Sequence, residues 1–267
     1  MKKINPFFLL LVASIVVTPS CSKRSIPHLL EFCNITTVTV VESGNPDTAV
    51  FYLAYDRAGR VTSIQSGSGA SAATRTYAYA DTNAVVTTTG GGSTTTDSVT
   101  LNSDGLMLID ANSTSTSSNY LKTYYYYSGT EVVNASLWYN GQVPGPGDYY
   151  EYTWGSGNLQ IFTPQGGATT TTSYSYTYNS IPAAIGDYSF IMQLLYAPAP
   201  TVRNTDQVTA VRQYIYTTNV TYSHYANGRI SGLTLITTSL GGDIPPDTLT
   251  YSYQYGCELR FPEPATK

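Results

Sequence analysis

From Cys33 onward, apolar and polar residues alternate with a period of two, the pattern of strands whose successive side chains point to opposite faces. Cys33–Glu42 (CNITTVTVVE) is a β-branched alternating run and reads as a first strand. Phe51–Ile64 (FYLAYDRAGRVTSI) holds two such runs around Tyr55-Asp56-Arg57-Ala58-Gly59-Arg60, a hairpin in which Gly59 can take positive φ. The pattern returns at Thr74–Ala80, Val85–Thr89, Val99–Ile109, Tyr124–Val133, Tyr149–Phe162, Ser173–Tyr178 and Val220–Leu235, with turn signals such as Asp104-Gly105, Ser128-Gly129, Ser156-Gly157 and Asn227-Gly228. Turn points at 59, 83, 105, 129, 157, 179, 204 and 228 lie 24, 22, 24, 28, 22, 25 and 24 residues apart. A second set falls between them, at Gly90–Gly92, Gly141, Gly166-Gly167 and Gly241-Gly242. Some two dozen residues suffice for two strands and two turns, so the expected fold is all-β: a long antiparallel up-and-down meander, curled or partly barrel-like. Ile185–Tyr196 (IGDYSFIMQLLY), stopped by Pro198 and Pro200, allows at most one short helix near 187–196.

Composition sharpens this picture. Of 267 residues only 11% are charged, whereas 25 are Tyr and 22 are Gly, which is strand chemistry with turn punctuation. A formal net charge of −4, with no basic cluster after the N-terminus, argues against a nucleic-acid partner. Residues 1–20 read as a leader, with Lys2 and Lys3 before the apolar run Phe7–Val17, which is too short to span a bilayer. The expected organisation is a signal peptide (1–20), a tether (21–32), a single meander domain (33–258) and a short tail (259–267).

Thr18-Pro19-Ser20-Cys21 resembles the lipobox of bacterial lipoproteins, which implies acylation of Cys21 and membrane lipid as a partner. Export places Cys33 and Cys257 in an oxidising compartment. Lying near the two ends of the folded part, they either form a bridge tying those ends together or remain two buried thiols. Tyr55-Asp56-x-x-Gly59-Arg60 followed by Tyr77-x-Tyr79 resembles the YD repeat of Rhs-type surface proteins. With Tyr178–Pro182, Arg203-Asn204 and the closing Tyr251–Cys257, the layout resembles exported Bacteroidota lipoproteins classed as a domain of unknown function with a porin-like β fold. That resemblance implies no reaction and carries over no catalytic residue. The residues after Cys21 lack an acidic pair resembling the surface-export signal of that phylum, so an outer-membrane lipoprotein facing the periplasm is expected. Asp47-Thr48-Ala49, Asp97-Ser98-Val99 and Asp247-Thr248-Leu249 resemble that phylum's O-glycosylation acceptor, which would make Thr48, Ser98 and Thr248 modification sites beside turns.

Aromatic residues are the main candidates for binding. Tyr124, Tyr126, Trp138, Tyr150, Tyr152 and Trp154 fall mostly at period two and would line one sheet face, either as a platform for sugar rings or as cross-strand pairs that hold the sheet together. Only His28 and His224 supply imidazoles, and no nucleophile, metal or phosphate motif accompanies them. Thr100-x-Asn102-x-Asp104-Gly105 lacks the closing Glu of a calcium loop and reads as a turn. The expectation is a non-catalytic structural or binding module with no cofactor and no metal, whose partners are lipid and either a glycan or another envelope protein. The alternative is a glycan-binding lipoprotein using the Tyr/Trp face.

Overall fold

The computed structural model describes residues 30–45, 47–67, 72–114, 120–145, 148–165, 173–242 and 245–260. The chain divides into a large unit, Cys33–Cys257, and a second unit made of the flanking pieces 1–32 and 258–267. Of the second unit only the strand residues 30–32 and 258–260 are described. The expected leader, Cys21, His28, residues 261–267 and the expected turn at Gly166-Gly167 lie outside the described residues.

The large unit is a closed barrel of sixteen antiparallel strands. In chain order these are β1 (Leu30–Glu42), β2 (Thr48–Tyr55), β3 (Val61–Ser66), β4 (Ala73–Ala80), β5 (Asn83–Gly90), β6 (Ser93–Leu101), β7 (Met107–Thr114) and β8 (Tyr120–Ser128). They continue with β9 (Glu131–Tyr139), β10 (Tyr149–Gly155), β11 (Asn158–Gln165), β12 (Tyr174–Pro182), β13 (Asp206–Gln213), β14 (Tyr216–His224), β15 (Ile230–Ser239) and β16 (Asp247–Arg260). Each pairs with its sequence neighbours, and β16 returns to β1. The alternation therefore does describe a meander, but one that closes completely. Closure leaves no edge strand with unpaired backbone groups. The first strand also starts earlier than expected, at Leu30, and the last runs to Arg260.

Turn chemistry explains the reversals. Residues 56–60, 102–106 and 225–229 adopt one geometry, with the N–H of the first residue donating to the carbonyl of the fifth (2.9, 2.8 and 2.8 Å). The fourth residue of each is a glycine at φ +79, +74 and +84, which a side chain would resist. Two expected turn points prove different. Asn179 lies inside β12, where its side chain accepts from Ile181 N–H, and Asn204 ends a long crossover. Between them residues 183–205 form one long connection that carries α1 (Tyr188–Tyr196), the short helix expected near 187–196. Asp187 caps that helix by accepting from Phe190 N–H (2.8 Å).

The crossover sits in the barrel lumen. Ile191 and Leu195 of α1 share one buried core with Ile35, Val38, Leu53, Ile64, Val208, Leu233 and Tyr251, contributed by strands around the wall. Arg75 on β4 donates to the carbonyls of Leu195 and Ala197, satisfying the helix C-terminus (3.2 Å each). Beyond it, Pro200 accepts from Met107 N–H and Thr201 accepts from the Tyr127 hydroxyl. Gln193 holds the strap to the helix, accepting from Thr201 and Val202 N–H and donating to the Val202 carbonyl.

Register then assigns the two faces of the wall. Opposed residues share a face, and the buried set forms continuous rows: Leu53 opposite Ile64, Tyr77 opposite Val86, Ala84 opposite Val99, Val220 opposite Leu235, Leu233 opposite Tyr251. These rows face inward. The intervening rows face outward and are rich in hydroxyls: Thr74 opposite Thr89, Thr87 opposite Thr96, Thr221 opposite Thr234, Thr234 opposite Thr250.

Candidate functional site

The inward aromatics form a repeated device. Tyr55 on β2 donates its hydroxyl to the Ile35 carbonyl on β1 at 2.8 Å. Tyr127 does the same to Met107, Tyr178 to Leu159, Tyr222 to Val208 and Tyr255 to Ile230, while Trp154 Nε1 donates to Val132. In each case the second strand of a hairpin fastens onto a buried residue of the first, near the barrel end that carries the helix. Burial pushes the hydroxyls of Tyr55, Tyr127, Tyr178 and Tyr222 well above the usual phenol value, and that of Tyr255 up to about 12. They are neutral donors at physiological pH. In β4 and β6 the corresponding places, just before the turn, hold Tyr79 and Leu101; the Arg60 guanidinium lies over the Tyr79 ring, 4.4 Å from its centre.

Placement splits the expected aromatic platform in two. Tyr150, opposite Ala135, and Tyr152, opposite Phe162, face inward, and Trp154 is one of the clasps. Those three cannot form part of an outward ligand face. Tyr124, Tyr126 and Trp138 face outward. There the Tyr124 and Trp138 rings meet edge to face at 5.7 Å. Ser136, only 2% exposed, lies beneath them, accepting from Trp138 Nε1 (3.1 Å) and exchanging a hydrogen bond with Tyr126 (3.3 Å). Tyr149, opposite Ser136, joins this face, and Asn134, opposite Tyr126 and Glu151, with Lys122, opposite Trp138, borders it. Tyr149 was not separable from Tyr150 by residue type, but strand parity alone distinguishes them. The arrangement can offer ring faces framed by amide, carboxylate and ammonium groups.

The remaining candidates are scattered. His224 ends β14, exposed to solvent. Asn102 spends its side-chain oxygen on the N–H groups of Asp104 and Leu106, so the calcium-like run is a turn. Thr48, Ser98 and Thr248 occupy outward rows, but Ser98 lies within β6 rather than beside a turn. Among the described residues no cluster of His, Cys, Asp or Glu could hold a metal ion. Asp110, in an inward row with Val99, is pushed up to about 6 by burial and by nearby Asp97, and its Oδ1 is buried without a partner. Cys33 and Cys257 form a disulfide that joins β1 to β16 across the closing seam.

A scan against protein-family models matches none, and a search among curated proteins finds no match. Solved structures do resemble the chain, among them two porin-like proteins. A porin-like protein from Bacteroides uniformis superposes with a TM-score of 0.62 at 16% identity, covering 83% of this chain and 96% of that one. The fold is porin-like. A porin-like protein from Bacteroides vulgatus aligns with a TM-score of 0.48 at 13% identity, over 83% of this chain and 98% of that one.

Proposed function

We propose that the protein is a lipid-anchored, non-catalytic module of the cell envelope, related to exported lipoproteins with a porin-like β fold and YD-type hairpins. Its barrel acts as a structural or binding body in water, and acylated Cys21 attaches it to the outer membrane, facing the periplasm. The observation that carries this reading is the polarity of the wall: the lumen is packed with Leu, Ile, Val and Tyr, while Thr and Ser predominate in the outward rows of β4–β6 and β14–β16, broken by single apolar residues such as Val85 and Ile236. A barrel that crosses lipid needs the opposite, an apolar outward band about 25 Å tall. The porin-like fold is compatible with outer-membrane association, and a lipid chain supplies it without requiring the strands to enter the bilayer. Among the described residues no helix is long and apolar enough to cross a membrane. The test is palmitate labelling and fractionation. The parent chain is expected to carry label and sediment with membranes, whereas Cys21→Ala loses the label and becomes soluble. A Cys21→Ala chain that resists alkaline extraction from membranes would sink the reading.

A second reading, glycan binding, is favoured by the outward cluster of Tyr124, Tyr126, Trp138 and Tyr149. Aromatic faces bordered by hydrogen-bonding groups suit sugar rings, which present apolar C–H faces and polar edges. On a glycan array the parent is expected to retain a defined set of oligosaccharides that Trp138→Ala loses. Retention by neither chain removes this reading and leaves the first intact.

A further inference from the structure

The Cys33–Cys257 bond sits where the first and last strands meet, in a setting that differs from a buried structural bridge. Cys257 is exposed and Cys33 half-buried. Arg229 directs Nη1 to within 3.3 Å of Cys257 Sγ. Arg229 also lines, with Cys33, Ile185, Asn227, Ile230 and Tyr255, an open recess of about 380 Å³ beside Cys33. Thiol–disulfide exchange needs access for the attacking thiolate and a leaving sulfur whose thiolate is stabilised. Both conditions are met here: the recess reaches Cys33, and the Arg229 guanidinium lies against Cys257. The seam also has other fastenings: Ser43 N–H donates to the Thr248 carbonyl at 2.8 Å, and Thr36 Oγ1 donates to the Gln254 carbonyl at 3.3 Å. The flanking strands keep their tyrosine clasps, Tyr55 to Ile35 and Tyr255 to Ile230.

We propose that Cys33–Cys257 is a thiol-exchange site for a small aliphatic thiol. The thiolate enters the recess and attacks Cys33 Sγ. A new S–S bond forms between the thiol and Cys33, the Cys33–Cys257 bond breaks, and its electron pair leaves on Cys257 as a thiolate beside the Arg229 guanidinium. A second thiolate attacks the small-molecule sulfur of the mixed disulfide and releases Cys33. The protein disulfide is thus reduced by two electrons, and two thiols are oxidised to a symmetric disulfide. Arg229 acts as a positioning residue, through the charge it places next to the departing sulfur.

The test uses the folded full chain with reduced glutathione as the probe, acid quenching, and peptide mapping by mass spectrometry. The expected product is glutathione bound to Cys33 with a free thiol at Cys257, formed at a rate that sub-denaturing urea does not change. Arg229→Gln is expected to slow its formation about three- to tenfold, the effect of losing a cation that lowers the leaving thiol's pKa by roughly one to two units. Arg229→Lys is expected to recover much of the rate. The 225–229 turn is built from the backbone of Arg229, so both variants keep it, and an unchanged circular dichroism spectrum checks this. Three results would each overturn the proposal: glutathione attached to Cys257 instead, equal rates for parent and Arg229→Gln, or reaction only as fast as global unfolding.

Discussion

β8 presents the same residue four times in a row, and the two faces of the wall put those tyrosines to different uses. Tyr125 and Tyr127 point into the lumen, where burial raises their hydroxyl pKa and Tyr127 fastens β8 to Met107 of β7. Tyr124 and Tyr126 point outward, where Tyr126 is 49% exposed and its hydroxyl meets Ser136. One residue of register separates a structural clasp from a surface group. Residue type does not decide the role of a tyrosine here; strand parity does.

That contrast implies cheap outward substitutions and costly inward ones, and the largest expected effect is an exception to it. Gly232 belongs to an outward row, yet a methyl group there would overlap the Tyr251 carbonyl oxygen. Gly232→Ala must therefore part β15 from β16, and chemical denaturation is expected to show a loss of more than about 3 kcal/mol. An ordinary outward cost would mean that this ladder yields easily.

Leu233→Ala, which empties a buried inward site, is expected to cost about 2–5 kcal/mol, and Thr234→Ala, one residue on and outward, less than about 0.5 kcal/mol. Equal costs would reverse the assignment of faces. The clasps are smaller. Tyr178→Phe removes a 2.6 Å hydrogen bond and leaves the ring, so about 0.5–1.5 kcal/mol is expected, against no measurable change for Tyr126→Phe.

Asp110 gives an effect of similar size with a definite sign. It titrates near 6 in the barrel and near 3.8 when unfolded. Between those values the folded state holds the extra proton, so this group lowers stability as pH rises through that window. Asp110→Asn is expected to abolish that slope and to raise stability at pH 7 by about 1–2 kcal/mol, allowing for solvent screening. A parent whose stability climbs from pH 4 to 6, with the same slope in the variant, would rule out a buried inward carboxylate.

Much of the architecture was legible residue by residue. The alternation in Phe51–Ile64 and Val220–Leu235, the Gly at the fourth place of the 56–60, 102–106 and 225–229 turns, and the Asp187 cap with Pro198 and Pro200 bounding α1 all announce themselves locally. The candidate aromatic site was legible only in part. Trp138 and Trp154 look alike in sequence, but Trp154 shares the inward parity of Tyr150 and Tyr152, whereas Trp138 lies opposite Lys122 on the outward face with Tyr124. Asn179 mimics a turn because its side chain accepts from Ile181 N–H two residues on, which Asn does whether or not the chain reverses there. Asn204 instead reaches across the fold, accepting from Leu159 N–H and donating to the Ser189 hydroxyl.

The amino-acid sequence by itself determined the strands, most of their turns and the single helix, because period-two alternation, turn glycines and helix caps act over only a few residues. Only the tertiary structure decided that the meander closes on itself, that the crossover fills the lumen, and which tyrosines meet water. The physical reason is that a strand's two faces become inside and outside only when distant strands pair. Closure depends on β1 finding β16, a contact between residues as far apart as Cys33 and Cys257.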